Sequence, residues 1–330
     1  MKSLILSFGF VLHYSSFVFN IAIVRKLITF VFSIALVLAA KAQFNQDYGI
    51  HIGLATHMGD IGGPNEPTRI QASRMEYVVG GFYRYRLTPK FFVKGSLSYA
   101  RISGADSYSK DPVKIARNLS FRTTLYELAG TIEYHIIDIK DFGGTGRYNT
   151  FFNTYVFAGL GVAYFDPMAQ RDNGDWVHLQ PLMTEGVDYS QITPVVPFGV
   201  GAHMTFDRKW RLGIELGARP TFTDYLDDVH DKYLTTAQKA AADPLTVEMS
   251  RRVNDQYVKD AISSGIVDWP TGYTMGGPGQ TRGGAKSNDW YFFGTANVSW
   301  LIRGKSNFYR ARYHFAKGHR YKKRRSRAKF

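Results

Sequence analysis

Apolar and polar positions alternate one by one through much of this chain. Between Val195 and Thr221 the pattern is clearest. Val196, Phe198, Val200, Ala202, Met204 and Phe206 share one parity, against Pro197, Gly199, Gly201, His203 and Thr205. After Asp207-Arg208-Lys209 it resumes, with Trp210, Leu212, Ile214, Leu216 and Ala218 against Arg211, Gly213, Glu215, Gly217 and Arg219. A period of two over strands about 10 residues long, joined by a tight polar turn, predicts a membrane β-hairpin. Strand-length segments of the same kind occur at 46–56, 75–87, 91–101, 124–136 and 289–302. Segment 153–164 is apolar on both parities, so its register is open. The segments make eight, the smallest common closed barrel of outer membranes.

Closure matters because an open sheet edge in lipid leaves backbone groups unpaired. The faces read as outward carry no charge in mid-strand, where an Arg or Lys costs about 2–4 kcal/mol. Their ends carry Tyr77, Tyr85, Phe91, Tyr99, Tyr134, Trp210, Trp290 and Trp300, as aromatic girdles require. A soluble sandwich would alternate too, but with charges on its outer face and fewer aromatic strand ends. Connections alternate in length, short at 88–90, 138–150 and 207–209, long at 57–74, 102–121, 165–192 and 222–288. The long ones are the expected extracellular loops, which places both termini in the periplasm. Within the last, 236–262 is rich in Ala, Glu, Lys, Arg and Gln and predicts a short surface helix. The fold class is therefore all-β, an eight-stranded antiparallel transmembrane barrel of outer-membrane type.

The amino terminus agrees with that route. Arg25-Lys26 precede an apolar run from Leu27 to Ala39, and Ala40-Lys41-Ala42 gives an A-x-A cleavage pattern before Gln43. The run is too short to serve well as a membrane anchor. The expected organisation is a signal peptide with an N-terminal extension (1–42), the barrel (43–302) and a basic periplasmic tail (303–330).

Facing inward, the alternation places Glu76, Glu127, Glu133 and Glu215 with Arg84, Arg86, Lys94 and Arg219, and with His51, His135 and His203 nearby. Such a set lines either a proton or solute path, or a salt-bridged plug. An eight-stranded barrel is only wide enough for its side chains to fill it, which favours the plug. In the last long loop Asp224, Asp227 and Asp228, with Glu185, could hold a hard cation. The regular Ca²⁺-loop spacing is missing and aspartates also satisfy turn backbones, so no metal site is assigned.

The blocks FAGLGVAYFDP (157–167), LQPLMTEG (179–186), PFGVG (197–201), TDYLDDV (223–229), TRGG (281–284) and NDWYFF (288–293) resemble the PorG family of outer-membrane barrels. That family is associated with the type IX (Por) protein secretion system. The resemblance runs from about Gln43 to Ile302 and singles out Thr184, Glu185, Gly186, Asp224, Tyr225, Leu226, Asp227 and Asp228. It implies a non-enzymatic component that anchors or assembles a periplasmic ring of PorK/PorN-like proteins. This chain departs from the pattern in its long fourth loop and its carboxyl tail. A passive small-solute porin and an adhesin-like surface barrel are the alternatives.

Composition changes the picture at the ends. There is no Cys, which excludes disulfides and thiol-ligated metals. Twelve of the 41 basic residues lie in 303–330 and four in 1–42, leaving 25 against 27 acids. The net charge of +14 thus belongs to the two ends. Arg320, Lys322, Lys323, Arg324, Arg325 and Arg327 form the densest run, a candidate contact for an acidic partner. Export argues against a nucleic-acid partner. No catalytic triad, phosphate loop or cofactor fingerprint is present, so neither enzyme nor cofactor is expected and the partners are the lipid bilayer and the ring proteins.

Overall fold

The computed structural model describes residues 46–61, 75–140, 142, 150–207, 209–270, 272–284 and 287–302. The expected signal peptide and the basic run Arg320, Lys322, Lys323, Arg324, Arg325 and Arg327 lie outside the described residues. The strands are β1 (Gln46–Met58), β2 (Glu76–Arg86), β3 (Phe91–Ala105), β4 (Ser120–Lys140), β5 (Phe151–Gln170), β6 (Trp176–His178), β7 (Ile192–Val195), β8 (Phe198–Phe206), β9 (Trp210–Pro220) and β10 (Trp290–Ile302). Neighbours pair antiparallel in the closed order β1-β2-β3-β4-β5-β8-β9-β10, and β10 returns to β1 from Gln46↔Ile302 to Met58↔Trp290. The molecule is a closed eight-stranded antiparallel barrel. β7 pairs with β5 just beyond β8, so it continues β8 past Val196 and Pro197. A proline has no N–H for the ladder, and the strand is interrupted there.

The alternation resolves into an inside and an outside. Ile50, Ile52, Leu97, Leu128, Leu160, Ile214 and Leu216 are exposed apolar residues at mid-barrel. Open segment 153–164 now has a register: Tyr155, Phe157 and Ala163 are buried, while Val156, Leu160, Val162 and Tyr164 face out. Both parities are apolar because the inward rings also need room, which small neighbours provide. A Cβ on Gly201 would lie 2.4 Å from the Tyr155 ring.

Two aromatic girdles bound the belt. One runs Tyr77–Tyr99–Tyr126–Tyr164 across four strands with ring centroids 5.9, 5.1 and 6.2 Å apart. The other includes Phe91–Tyr134 at 5.1 Å and Trp210–Trp300 at 4.5 Å. From Phe91 to Tyr99 is about 26 Å of strand, hence roughly 20 Å of height at the usual tilt, near the apolar band of an outer-membrane barrel. Among the described residues no helix is long and apolar enough to cross a membrane.

β3, β4 and β5 continue several residues past the first girdle, so the connections expected at 102–121 and 165–192 are partly strand. The connection at 102–121 also holds helix α1 (Pro112–Arg117), because Asp111 caps the Val113 N–H and Pro112 presets the first turn. Where one short helix was expected in the last loop, the described residues form three: α2 (Thr236–Ala241), α3 (Pro244–Ser250) and α4 (Asp255–Ser263). Pro244 ends one helical run and starts the next, and Asn254 caps α4.

Candidate functional site

The barrel interior has two layers. In the half nearer the short turns, charges fill the lumen. Arg84 is fully buried, and its Nη1 donates to Asp47 Oδ2 at 3.0 Å, Nη2 to Glu215 Oε1 at 3.4 Å and Nε to Glu133 Oε1 at 3.0 Å. Lys94 Nζ reaches both Glu215 oxygens at 2.7 and 2.6 Å, and Tyr155 OH donates to the same carboxylate at 2.7 Å. Asp47 Oδ2 also accepts from Arg211 Nη1 at 3.0 Å and Ser299 Oγ at 2.9 Å. A second group has Arg219 Nε and Tyr291 OH donating to Glu127 Oε2 at 2.9 and 2.6 Å. Every barrel strand except β8 contributes at least one of these side chains, which is why the alternation could bring them together.

Of the inward residues expected from parity, Arg84, Lys94, Glu127, Glu133, Glu215 and Arg219 join these groups. Glu76 and Arg86 do not. Glu76 sits at the far end of β2 and accepts from Ser103 Oγ at 3.0 Å. Arg86 sits at the turn end and donates to the Thr88 and Pro89 carbonyls at 3.1 and 3.4 Å. Parity sets the face a residue takes but not its height, and both lie at strand ends. Asp47 and Arg211 take their places, so four acids still meet four bases. Both were visible on the inward parity. His51 meets Ser98 Oγ at 3.1 Å, whereas the His135 and His203 rings meet at a 59° tilt with centroids 5.1 Å apart, and neither His203 ring nitrogen is bonded among the described residues. The void left beside Lys94, Glu127 and Glu215 is water-sized.

Above the charges the lumen is apolar and stoppered. Leu226, wholly buried, is set among Ile61, Ile102, Phe121, Leu125, Phe165 and Val229. Its backbone is satisfied: the N–H donates to Asp289 Oδ2 at 3.0 Å, and the carbonyl accepts from Thr123 Oγ1 at 2.5 Å. Around this stopper the loop blocks converge. Thr184 Oγ1 donates to Asp228 Oδ2 at 2.5 Å, and Glu185 accepts from the His230 and Asp231 N–H groups at 3.0 and 2.9 Å. Arg282 Nη1 bridges Glu185 Oε1 at 3.0 Å and the Asp228 carbonyl at 2.6 Å. Gly186 takes φ +72°, a left-handed turn where a Cβ would also strike Gln238. Tyr225 stacks on Tyr189 at 4.3 Å, and Tyr189 OH donates to Asp228 Oδ1 at 2.7 Å. Arg282 and Tyr189 were not singled out in the sequence; the Arg of TRGG was the available signal.

The cap aspartates are held by groups of the protein itself: Asp228 by the Thr184 and Tyr189 hydroxyls, and Asp227 by backbone. Asp227 accepts the Ile61 and Val229 N–H groups at 2.9 and 3.1 Å. Among the described residues no group of three or more His, Asp or Glu is arranged to hold a metal ion. Burial pushes Asp227 up to about 8 and Asp224 up to about 7, and it also raises Asp228. Asp224 Oδ2 lies 2.7 Å from His230 Nδ1, an acid–imidazole pair beside Tyr225.

No curated protein matches the chain in sequence. Among solved structures, it is similar to the N-terminal β-barrel domain of Pseudomonas aeruginosa OprF, at 10% identity over 79% of this chain and 98% of that one, with TM-score 0.30. Ail, the attachment invasion locus protein of Yersinia pestis, matches at 8% identity over 78% and 98%, and Neisserial surface protein A at 8% over 78% and 96%, both with TM-score 0.30. Residues 25–258 match the family described as a domain of unknown function, DUF6089, and the chain belongs to that family.

Proposed function

We propose that this protein is a non-enzymatic, non-conducting barrel of the outer membrane, with both termini in the periplasm, which works through its two ends. The observation carrying this reading is the doubly closed lumen: a buried charge network with the Leu226 stopper above it. A barrel without an open path acts by what it holds at its surfaces. The belt of about 20 Å between the girdles supports the location, since bacterial outer membranes are thinner than average. The finer reading is a component of the type IX secretion system that anchors or assembles a periplasmic ring of PorK/PorN-like proteins. It is supported by the loop blocks that resemble PorG, since TEG, TDYLDDV and TRGG fold into one connected cap. The adhesin-like alternative draws on the same cap, whose helices stand outside the barrel.

Crosslinking and pull-down from native outer membranes tests the secretion reading. The short turns offer little area against the roughly 800 Å² per partner that stable interfaces bury, so the basic tail is the expected periplasmic contact. Deleting 316–330 should leave the barrel folded and reduce co-purification of ring proteins, most visibly at moderate salt. Capture of no ring component by the full chain would sink this reading in favour of a surface role. Normal capture by the truncated chain would move the contact to the turns.

A further inference from the structure

The outward face of β3 and β4 changes character just past the Tyr77–Tyr99–Tyr126–Tyr164 girdle. Tyr99 and Arg101 share one face of β3, and Tyr126 and Arg122 share the matching face of β4. The register pairs Arg101 with Thr124 and Ser103 with Arg122, so the two arginines are diagonal neighbours, about 7–8 Å apart at Cα. Each guanidinium is laid on an aromatic ring. Arg101 sits over Tyr77 at 5.2 Å and Arg122 over Trp176 at 3.6 Å. Neither has a carboxylate partner among the described residues, and Arg101 Nε has no hydrogen-bond acceptor. The nearby acids are already engaged: Asp166 with His178 at 2.9 Å, and Glu76 with Ser103. Further up the same face of β4, Arg252 Nη1 donates to Ser120 Oγ at 3.0 Å, which adds a third cation that Asp172 approaches at 3.8 Å.

We infer that Arg101 and Arg122 form a binding site for the phosphate groups of a phosphorylated glycolipid in the outer leaflet. Planar guanidinium forks match phosphate oxygens in two-bond geometry, and ring stacking holds them ready at little further entropic cost. Their height selects a lipid over a free anion. The acyl chains of such a lipid would lie along Leu97 and Leu128, both exposed below the tyrosines, while its phosphates meet the arginines. The ring contacts place both guanidinium groups at the surface before any lipid arrives.

This site rests on the orientation proposed above, with the capped end in the outer leaflet. Proteolysis of the cap on intact cells reads orientation, whereas binding in detergent micelles reads the site, so the two can fail separately. Purified full-length protein is titrated with bisphosphorylated lipid A and with the same lipid after phosphate removal, and adducts are counted by native mass spectrometry. The wild type should prefer the phosphorylated form by roughly tenfold or more, as expected for lost charge-assisted bonds. Arg101→Gln with Arg122→Gln should bring that preference close to one, with heat-modifiable migration showing an intact barrel. If that pair of changes prevents folding, Thr124→Glu, which sets a carboxylate opposite Arg101, should lower it too. A preference that survives either variant, or is absent in the wild type, overturns the site. Displacement of the lipid by millimolar inorganic phosphate would overturn its assignment to a lipid.

Discussion

Asp289 Oδ1 is buried without a hydrogen-bond partner among the described residues. A Cβ on Gly59 would lie 2.3 Å from that atom and 3.1 Å from Asp227 Oδ2, so the two carboxyl groups border one point that only a glycine leaves open. Burial, with Asp227 next, pushes Asp289 well above the ordinary carboxyl range, and burial lifts Asp227 from 3.8 to about 8. Both groups hold a proton more tightly in the folded cap than in an unfolded chain. Their contribution is therefore complete below about pH 4 and is lost as pH rises through about 8. Asp289→Asn keeps an acceptor for the Leu226 N–H and removes one ionisation. Its melting temperature should exceed the wild type's at pH 9 and nearly match it at pH 4; equal slopes in the two proteins would refute the raised carboxyl at Asp289. None of this was legible in the sequence, because Asp289 and Asp227 meet only after β9 and β10 have paired. The lumen charges were more legible: parity named six of the eight correctly placed side chains. Asp47 and Arg211 have the same inward parity as Glu76 and Arg86, and parity could not choose between them, since height along a tilted strand depends on the register of its neighbours.

At the scale of elements, all eight barrel strands could be read from period-two alternation, which is strong where one face meets lipid and the other the lumen. Their outer ends could not. Past the girdle the outward face turns polar and the inward face is mainly apolar, as at Phe121 and Leu125 on β4, so the membrane pattern stops while the strand continues. The apolar lining of those extensions is what Leu226 fills. Leu226→Ala should cost about 2–5 kcal/mol, as for other buried leucines, and make the loops at 179–191 and 223–231 readily cleaved by added protease. The same variant should remain non-conducting in planar bilayers, because the charged layer below it is untouched. Steady conductance would mean that the stopper alone closes the barrel.

For the whole molecule, the charge network is worth less as attraction than as a set of mutual obligations. Taking charges out of water is costly, and removal of one partner from a buried group typically costs about 3–5 kcal/mol. Arg84→Leu leaves Asp47, Glu133 and Glu215 short of their shared cation and should lower the temperature at which the folded band is lost on gels. An unchanged transition would show the lumen to be wetter than its burial suggests. The β1–β10 seam also has a kinetic consequence. Gln46 pairs with Ile302, and Asp47 collects donors 37, 164 and 252 residues away in sequence. Until that seam zips, the chain carries two unpaired strand edges and an aspartate facing hydrocarbon without its arginines. High contact order makes such a search slow. Half-assembled forms are therefore poor tenants of a bilayer, and insertion is expected to be nearly all-or-none, with the last strand acting as the trigger.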